Sequence, residues 1–419
     1  MFNLFKRRKY REPKPQPAVE VSDKHVSLRF VLLIVFVVVA VVSLTYGFTS
    51  PFSTDPGWRA VEVEGGEVSC GQDFVFNYNV GVSGVDATQE YRALTSLYTQ
   101  ACRKAYRLFS NEVTDTPGNL LAVNSHINQT IEIDPVLYQA FQTVQRCGSR
   151  LLYMAPIYVE QERMFSYTNE LDAMRYDPAQ NPEIMEYITR VVTFTNDPSH
   201  IDLELLGNNQ IKLTVSAEYL AFAEENGITE FLDFGWTENA FIIDYLAQTM
   251  IDGGYTRGCI SSYDGFSRNL DASGEGYSFN IFDRLGNDLH MPAKLDYTGV
   301  MSIVYLRNYP MSGQSMDRWH YMSFSNGSIA TVFLDPADGV SKSATDNLVS
   351  YSKDVTCSQI LMESAAVYLA DTLDEAAIAA MKDKGIYSIW FEGNILRFNQ
   401  TDIRLRLDES LDYTAQLVK

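Results

Sequence analysis

Leu232-Asp233-Phe234-Gly235-Trp236-Thr237-Glu238-Asn239-Ala240-Phe241-Ile242-Ile243-Asp244 carries an apolar stretch into a single glycine and then directly into an amphipathic segment. The pattern predicts a strand, a tight turn and a helix. Phe241, Ile242, Tyr245, Leu246 and Met250 recur at helical spacing, Thr237 stands at the N-cap position, and Gly253-Gly254 closes the far end. A helix start approached through glycine offers backbone N–H groups to an anion, so this is where a phosphate would sit.

Outward from this segment the chain alternates helical and extended patterns. Tyr91, Leu94, Leu97, Tyr98, Cys102, Ala105 and Leu108 form the apolar stripe of a helix from about Gln89 to Ser110. Thr116-Pro117-Gly118 breaks the chain, Leu120 to Asn124 follows, and Ile131-Glu132-Ile133-Asp134-Pro135 reads as a short strand whose proline opens a helix, Val136 to Cys147. Asn209 to Leu213 and Cys259-Ile260 read as strands, and Tyr277 to Leu334 is β-rich. The end of the chain predicts a helix near Glu363 to Leu369, then a capping box at Thr372-Leu373-Asp374-Glu375 for a helix through Lys382. Strand, turn and strand follow Gly385, from Tyr387 to Phe398.

Several of these segments resemble the flavin transferases of the ApbE type, the FAD:protein FMN transferases. Their Asp-Leu-Gly-Gly-Ile-x-Lys-Gly-Tyr-x-x-Asp signature aligns with Asp233, Gly235 and Asp244, while its second Gly falls on Trp236, its Lys on Asn239 and its next Gly on Ala240. Their Gly-Gly-Asp strand end falls on Tyr263, Asp264 and Gly265, and their Thr-Ser-Gly-Asp on Met311, Ser312, Gly313 and Gln314. The family's His-x-x-Asp-Pro-x-Thr-Gly matches Asp335, Pro336 and Gly339, with Val332 at the His position. Its metal-binding Asp-Ala-x-x-Thr falls on Leu361 and Ala365, or on Gln359 and Glu363 in a register two residues away.

The resemblance covers about residues 85 to 400. It implies an α+β domain of mixed sheets and helices around a cleft, with Asp233, Gly235, Asn239, Asp244, Ser312, Gly313, Asp335 and Gly339 at the positions that hold the flavin nucleotide. FAD and Mg²⁺ are implied only where transfer survives. That reaction breaks a pyrophosphate and needs cations and a base, supplied by Mg²⁺, Lys and His. This chain keeps the turns and loses the charged groups, and no replacement base is identified, since His126, His200, His290 and His320 are isolated. Each retained residue also has a structural use. Asp335 to Gly339 is a type I turn sequence, and Asp233 and Asp244 flank a helix start where acids cap N–H groups. Trp236 and Tyr263, standing where the family has glycine, are expected to fill space a nucleotide would need.

Phe30 to Phe48 is an uncharged apolar run of bilayer-spanning length. Eight Lys and Arg against three acids precede it, which by the positive-inside tendency keeps the N-terminus cytoplasmic and exports the rest. The expected organisation is a basic tail (1–29), a transmembrane helix (30–48), a stalk and approach (49–84), the ApbE-like domain (85–400) and a C-terminal tail (401–419). Of 33 basic and 53 acidic residues, 25 and 50 remain beyond residue 29, so the exported part is strongly acidic and nucleic acid is excluded as a partner. Five scattered cysteines without a Cys-x-x-Cys argue against zinc and leave the disulfide state open. Three functions fit: a divergent member with lost or weak catalysis, acting as a flavin-binding or accessory protein beside flavinylated or other membrane redox proteins; an active Mg²⁺-dependent transferase attaching FMN to Thr or Ser; or a structural ectodomain with a filled cleft.

Overall fold

The computed structural model describes residues 54–65, 69–286, 288–311 and 319–418. The expected transmembrane segment at 30–48 and the site candidates Ser312 and Gly313 lie outside the described residues. Among the described residues no helix is long and apolar enough to cross a membrane.

A nine-stranded sheet organises the fold, in the spatial order Gly57–Val61, Phe74–Val80, Gly258–Ser262, Phe266–Asn269, Met301–Arg307, Asn347–Ser352, Tyr387–Glu392, Ile395–Phe398, Thr414–Leu417. Only the last pair is parallel. Its central strand Met301–Arg307 is buried along its whole length, because successive side chains enter different cores. Met301, Ile303 and Tyr305 pack with Ile281 and Leu295 of a second, three-stranded sheet formed by Gly276–Leu285, Asp288–Thr298 and Arg404–Leu407. Val304 and Leu306 join the opposite core, which includes the helices Ala87–Phe109, Glu238–Asp252 and Cys357–Tyr368. A third small sheet pairs Thr130–Glu132, Gln210–Val215 and Ile201–Gly207.

The helical stripe of Ala87–Phe109 is buried at Leu94, Tyr98, Cys102, Ala105 and Leu108, and Asp86 caps its start by accepting the Gln89 N–H at 2.9 Å. Pro135–Arg146 begins at its proline as expected. Other expectations move. The Phe74–Val80 and Gly57–Val61 strands belong to the main sheet, and residues 404–417 supply a strand to each of two sheets. Leu120–Ser125 is a short helix capped by Asn119. The helix expected near Glu363 starts six residues earlier, at Cys357, and the next is capped by Asp374 rather than by Thr372.

Candidate functional site

The deciding stretch is not a strand at its apolar end. Residues 231–234 pair with no neighbouring strand. The Asn124 amide takes the place of one: its Oδ1 accepts the N–H groups of Phe231 and Leu232, both at 3.0 Å, and its Nδ2 donates to the Leu232 carbonyl at 2.8 Å. Asp233 N–H donates to the Leu152 carbonyl at 2.9 Å. Gly235 then turns the chain at φ +48°, a 3₁₀ turn carries Gly235–Thr237, and the helix Glu238–Asp252 follows. Thr237 is not the expected side-chain cap. Its backbone is already helical, and its hydroxyl donates back to the Phe234 carbonyl at 2.6 Å.

Three of the backbone donors at this turn are spent within the chain. Gly235 N–H donates to Asp233 Oδ1 at 2.5 Å, Thr237 N–H to the Phe234 carbonyl, and Glu238 N–H to the Gly235 carbonyl. Asp233 is held on its other oxygen by the Asn111 amide at 2.6 Å. The place a phosphate would take at the turn is thus filled by a carboxylate of the chain itself.

More acids gather around it. Asn239, at the family's Lys position, donates to Asp264 Oδ2 at 3.0 Å, while Asp264 Oδ1 is buried with no hydrogen-bond partner. Burial, reinforced by Asp264, pushes the Asp73 carboxyl up to about 6, with His320 opposing. Burial pushes Asp233 up to about 7, against the stabilising Gly235 N–H. Glu238 is raised well above the usual carboxylate range by burial and by Asp233, Asp73 and Asp264. These groups offer a diphosphate no positive charge, and those that ionise would repel it. Among the described residues no three His, Cys, Asp or Glu side chains are grouped to hold a metal ion. The described acids therefore supply none of the positive charge that a pyrophosphate requires.

Asp244 serves a different helix. It accepts the N–H groups of Cys357 at 3.0 Å and Ser358 at 2.8 Å, at the start of Cys357–Tyr368, and lies 3.7 Å from Arg268 Nε. Asp244→Ala leaves two helix-start donors without their acceptor and Arg268 without its neighbouring carboxylate, and is expected to cost about 2 kcal/mol in urea unfolding. A midpoint equal to that of the parent protein would refute this role. In the same helix Gln359 closes a capping box with Thr356, Leu361 and Ala365 are buried in the core, and Glu363 pairs with Lys384 at 2.6 Å. In both registers the four positions have structural uses.

Asp335 and Gly339 form the expected turn. Asp335 Oδ1 accepts the Ala337 N–H at 2.9 Å, and its Oδ2 meets Lys342 Nζ at 3.1 Å; the same ammonium also reaches Asp338 at 2.6 Å and Asp371 at 3.1 Å. Gly339, at φ +73°, backs onto Ile188, Val192 and Ile157. Val332 is buried, and Trp236 is buried edge-on against Phe333, which packs on Tyr368 and Tyr321. Tyr263 departs from expectation: it is 45% exposed and fills no interior space. A cavity of about 240 Å³ lies beside the turn, between Leu334, Gly339, Ile157, Met164 and Phe324, and its charged lining residues, Glu160 and Asp177, are both acids. Asp73, Asn111, Asn124, Glu238 and Arg268 were not singled out from the sequence. Each acts across a long sequence separation, and only the polar character of Asn124 within an apolar stretch hints at its role.

No protein-family model and no curated protein matches the sequence. Solved structures do. The ApbE protein of Thermotoga maritima matches with a TM-score of 0.54 at 10% identity, over 84% of this chain and 97% of its own. The flavin transferase ApbE of Vibrio cholerae matches at 0.50 and 10%, over 85% and 98%, and the apo form of the Pseudomonas stutzeri flavinyl transferase ApbE at 0.50 and 10%, over 85% and 95%. At such low identity the likeness speaks for architecture alone, and the chain has the fold of the ApbE flavin transferases.

Proposed function

We propose that this chain is an ApbE-fold protein that has lost FMN transfer and works as an accessory protein at the outer membrane face, anchored through residues 30–48. The observation that carries the reading is the helix start at Gly235. The N–H groups of Gly235, Thr237 and Glu238 are satisfied internally, the first by the chain's own Asp233, and Asp73, Glu238 and Asp264 are the charged neighbours. Phosphoryl chemistry builds negative charge in the transition state, and a cluster of carboxyl groups supplies none of the positive charge that catalysis requires there. Asp244 and Asp335 are equally committed, one to a helix cap and the other to Lys342. The acidic exterior and the basic N-terminal tail support the anchored orientation.

The test incubates the full chain, in detergent, with FAD, Mg²⁺ and a Thr-bearing acceptor peptide, alongside FAD titration with and without Mg²⁺. The expected result is no FMN on the peptide and no Mg²⁺-dependent FAD binding. Metal-dependent transfer would establish the alternative, an active transferase that flavinylates exported redox proteins. Tight FAD binding without metal dependence or transfer would define the accessory role as flavin holding.

A further inference from the structure

Two cysteines that stand 32 positions apart meet in the interior. Cys70 lies in the short 3₁₀ turn Cys70–Gln72, which Ser69 caps, and Cys102 lies in the middle of the Ala87–Phe109 helix. Cys70 Sγ donates to the Cys102 carbonyl at 3.3 Å, so the two residues, both free thiols here, are in direct contact. Both residues are essentially excluded from solvent. The other three make no such match: Cys147 points at Glu363, Cys259 at Ser261 and Ser267, and Cys357 at the carbonyls of Ser267 and Ile303.

We infer that Cys70 and Cys102 form a disulfide in the exported protein, fastening the 70–72 turn and the adjoining Phe74–Val80 strand to the Ala87–Phe109 helix. The inference rests on the exported orientation proposed above, because structural disulfides persist in oxidising compartments. The oxidant is a protein or small-molecule disulfide. One thiolate attacks it to give a mixed disulfide and release one thiol; the second thiolate then displaces the other half. Two protons and two electrons leave the cysteines, and the oxidant's disulfide is reduced to two thiols. The order of events follows from burial. Once the turn is docked, the neighbouring Cys102 and desolvation hold the Cys70 thiol well above its usual range, so little thiolate is available. Oxidation therefore precedes docking of the helix on the turn, and the closed bond is then shielded from reductant.

Thiol alkylation of the full chain, extracted from membranes and unfolded with and without reductant, tests this. Three thiols should react without reductant and all five with it, and peptide mapping should join Cys70 to Cys102. Reductant should lower the melting midpoint of the parent protein by about 5 °C, a shift that Cys70→Ala abolishes. Five reactive thiols from membranes would overturn the proposal as stated. Refolding the chain in a glutathione redox buffer then separates the causes. If the 70–102 bridge forms there, the pairing is right and the exported orientation is wrong; if no bridge or scrambled bridges form, the pairing itself is wrong.

Discussion

Raising the pH from about 4 to about 8 is expected to destabilise the folded domain by at least about 3 kcal/mol, opposite to the trend of proteins whose carboxylates are paired with cations. The cause is the group of acids around the Gly235 turn. Asp73 and Asp233 have folded-state values of about 6 and about 7, both above the roughly 4 of an unfolded Asp. Between the unfolded and folded values the native state binds more protons than the unfolded chain, so stability falls as the pH rises. The contribution is fully present below about pH 4 and lost by about pH 8, once both groups have ionised. At about 1.4 kcal/mol per unit, Asp73 alone accounts for about 3 kcal/mol and Asp233 for about 4; the two share neighbours, so their sum is a ceiling. Glu238, raised by the same acids, acts in the same direction. Urea midpoints across this range measure the slope, and a flat or rising profile would contradict the electrostatic account of the site. Asp264→Asn gives the internal control. An amide there keeps an oxygen for Asn239, places N–H groups at the unpartnered Oδ1 position and removes the charge that helps to raise Asp73. It should stabilise the protein by about 1–2 kcal/mol near pH 8 and flatten the slope.

Much of the fold was legible because its longest elements are locally consistent. The stripe from Tyr91 to Leu108 and the proline at 135 each carry a pattern that the tertiary structure reinforces. The strands at 57–61 and 404–417 escaped notice because they are short and largely exposed, so no run of apolar residues marks them. The false strand before Gly235 has a sharper cause. Its apolar residues are buried, but its hydrogen bonds come from the side chain of Asn124, more than one hundred positions away, and no periodicity records that. The site was legible at the level of which residues remain and which are lost. What the remaining ones do was not, since Asp244 is engaged by amides 113 and 114 positions later and Asp233 by Asn111, 122 positions earlier. Asp335 is the exception: its turn was readable because every partner lies within seven residues.

Gly235→Ala is expected to destabilise the domain by about 2–5 kcal/mol, from two separable terms. At φ +48° an L side chain costs about 1–2 kcal/mol through its contact with the carbonyl oxygen. A Cβ here would also lie 2.6 Å from two ring carbons of Tyr158, and that ring cannot swing aside, because it is buried and its hydroxyl donates to the Leu151 carbonyl at 2.9 Å. Overpacking of this kind costs about 1–3 kcal/mol. Gly254→Ala, at φ +84° with open space around it, isolates the first term and should cost only about 1 kcal/mol. Equal urea midpoints for the two variants would mean that the Tyr158 contact gives way, which would leave the bare side of Gly235 open to a ligand. The larger loss at Gly235 would instead show what the glycine is for. In a phosphate-binding turn the missing side chain lets the ligand approach the backbone; here the ring of Tyr158 occupies that space, and the glycine is kept for packing rather than for a nucleotide.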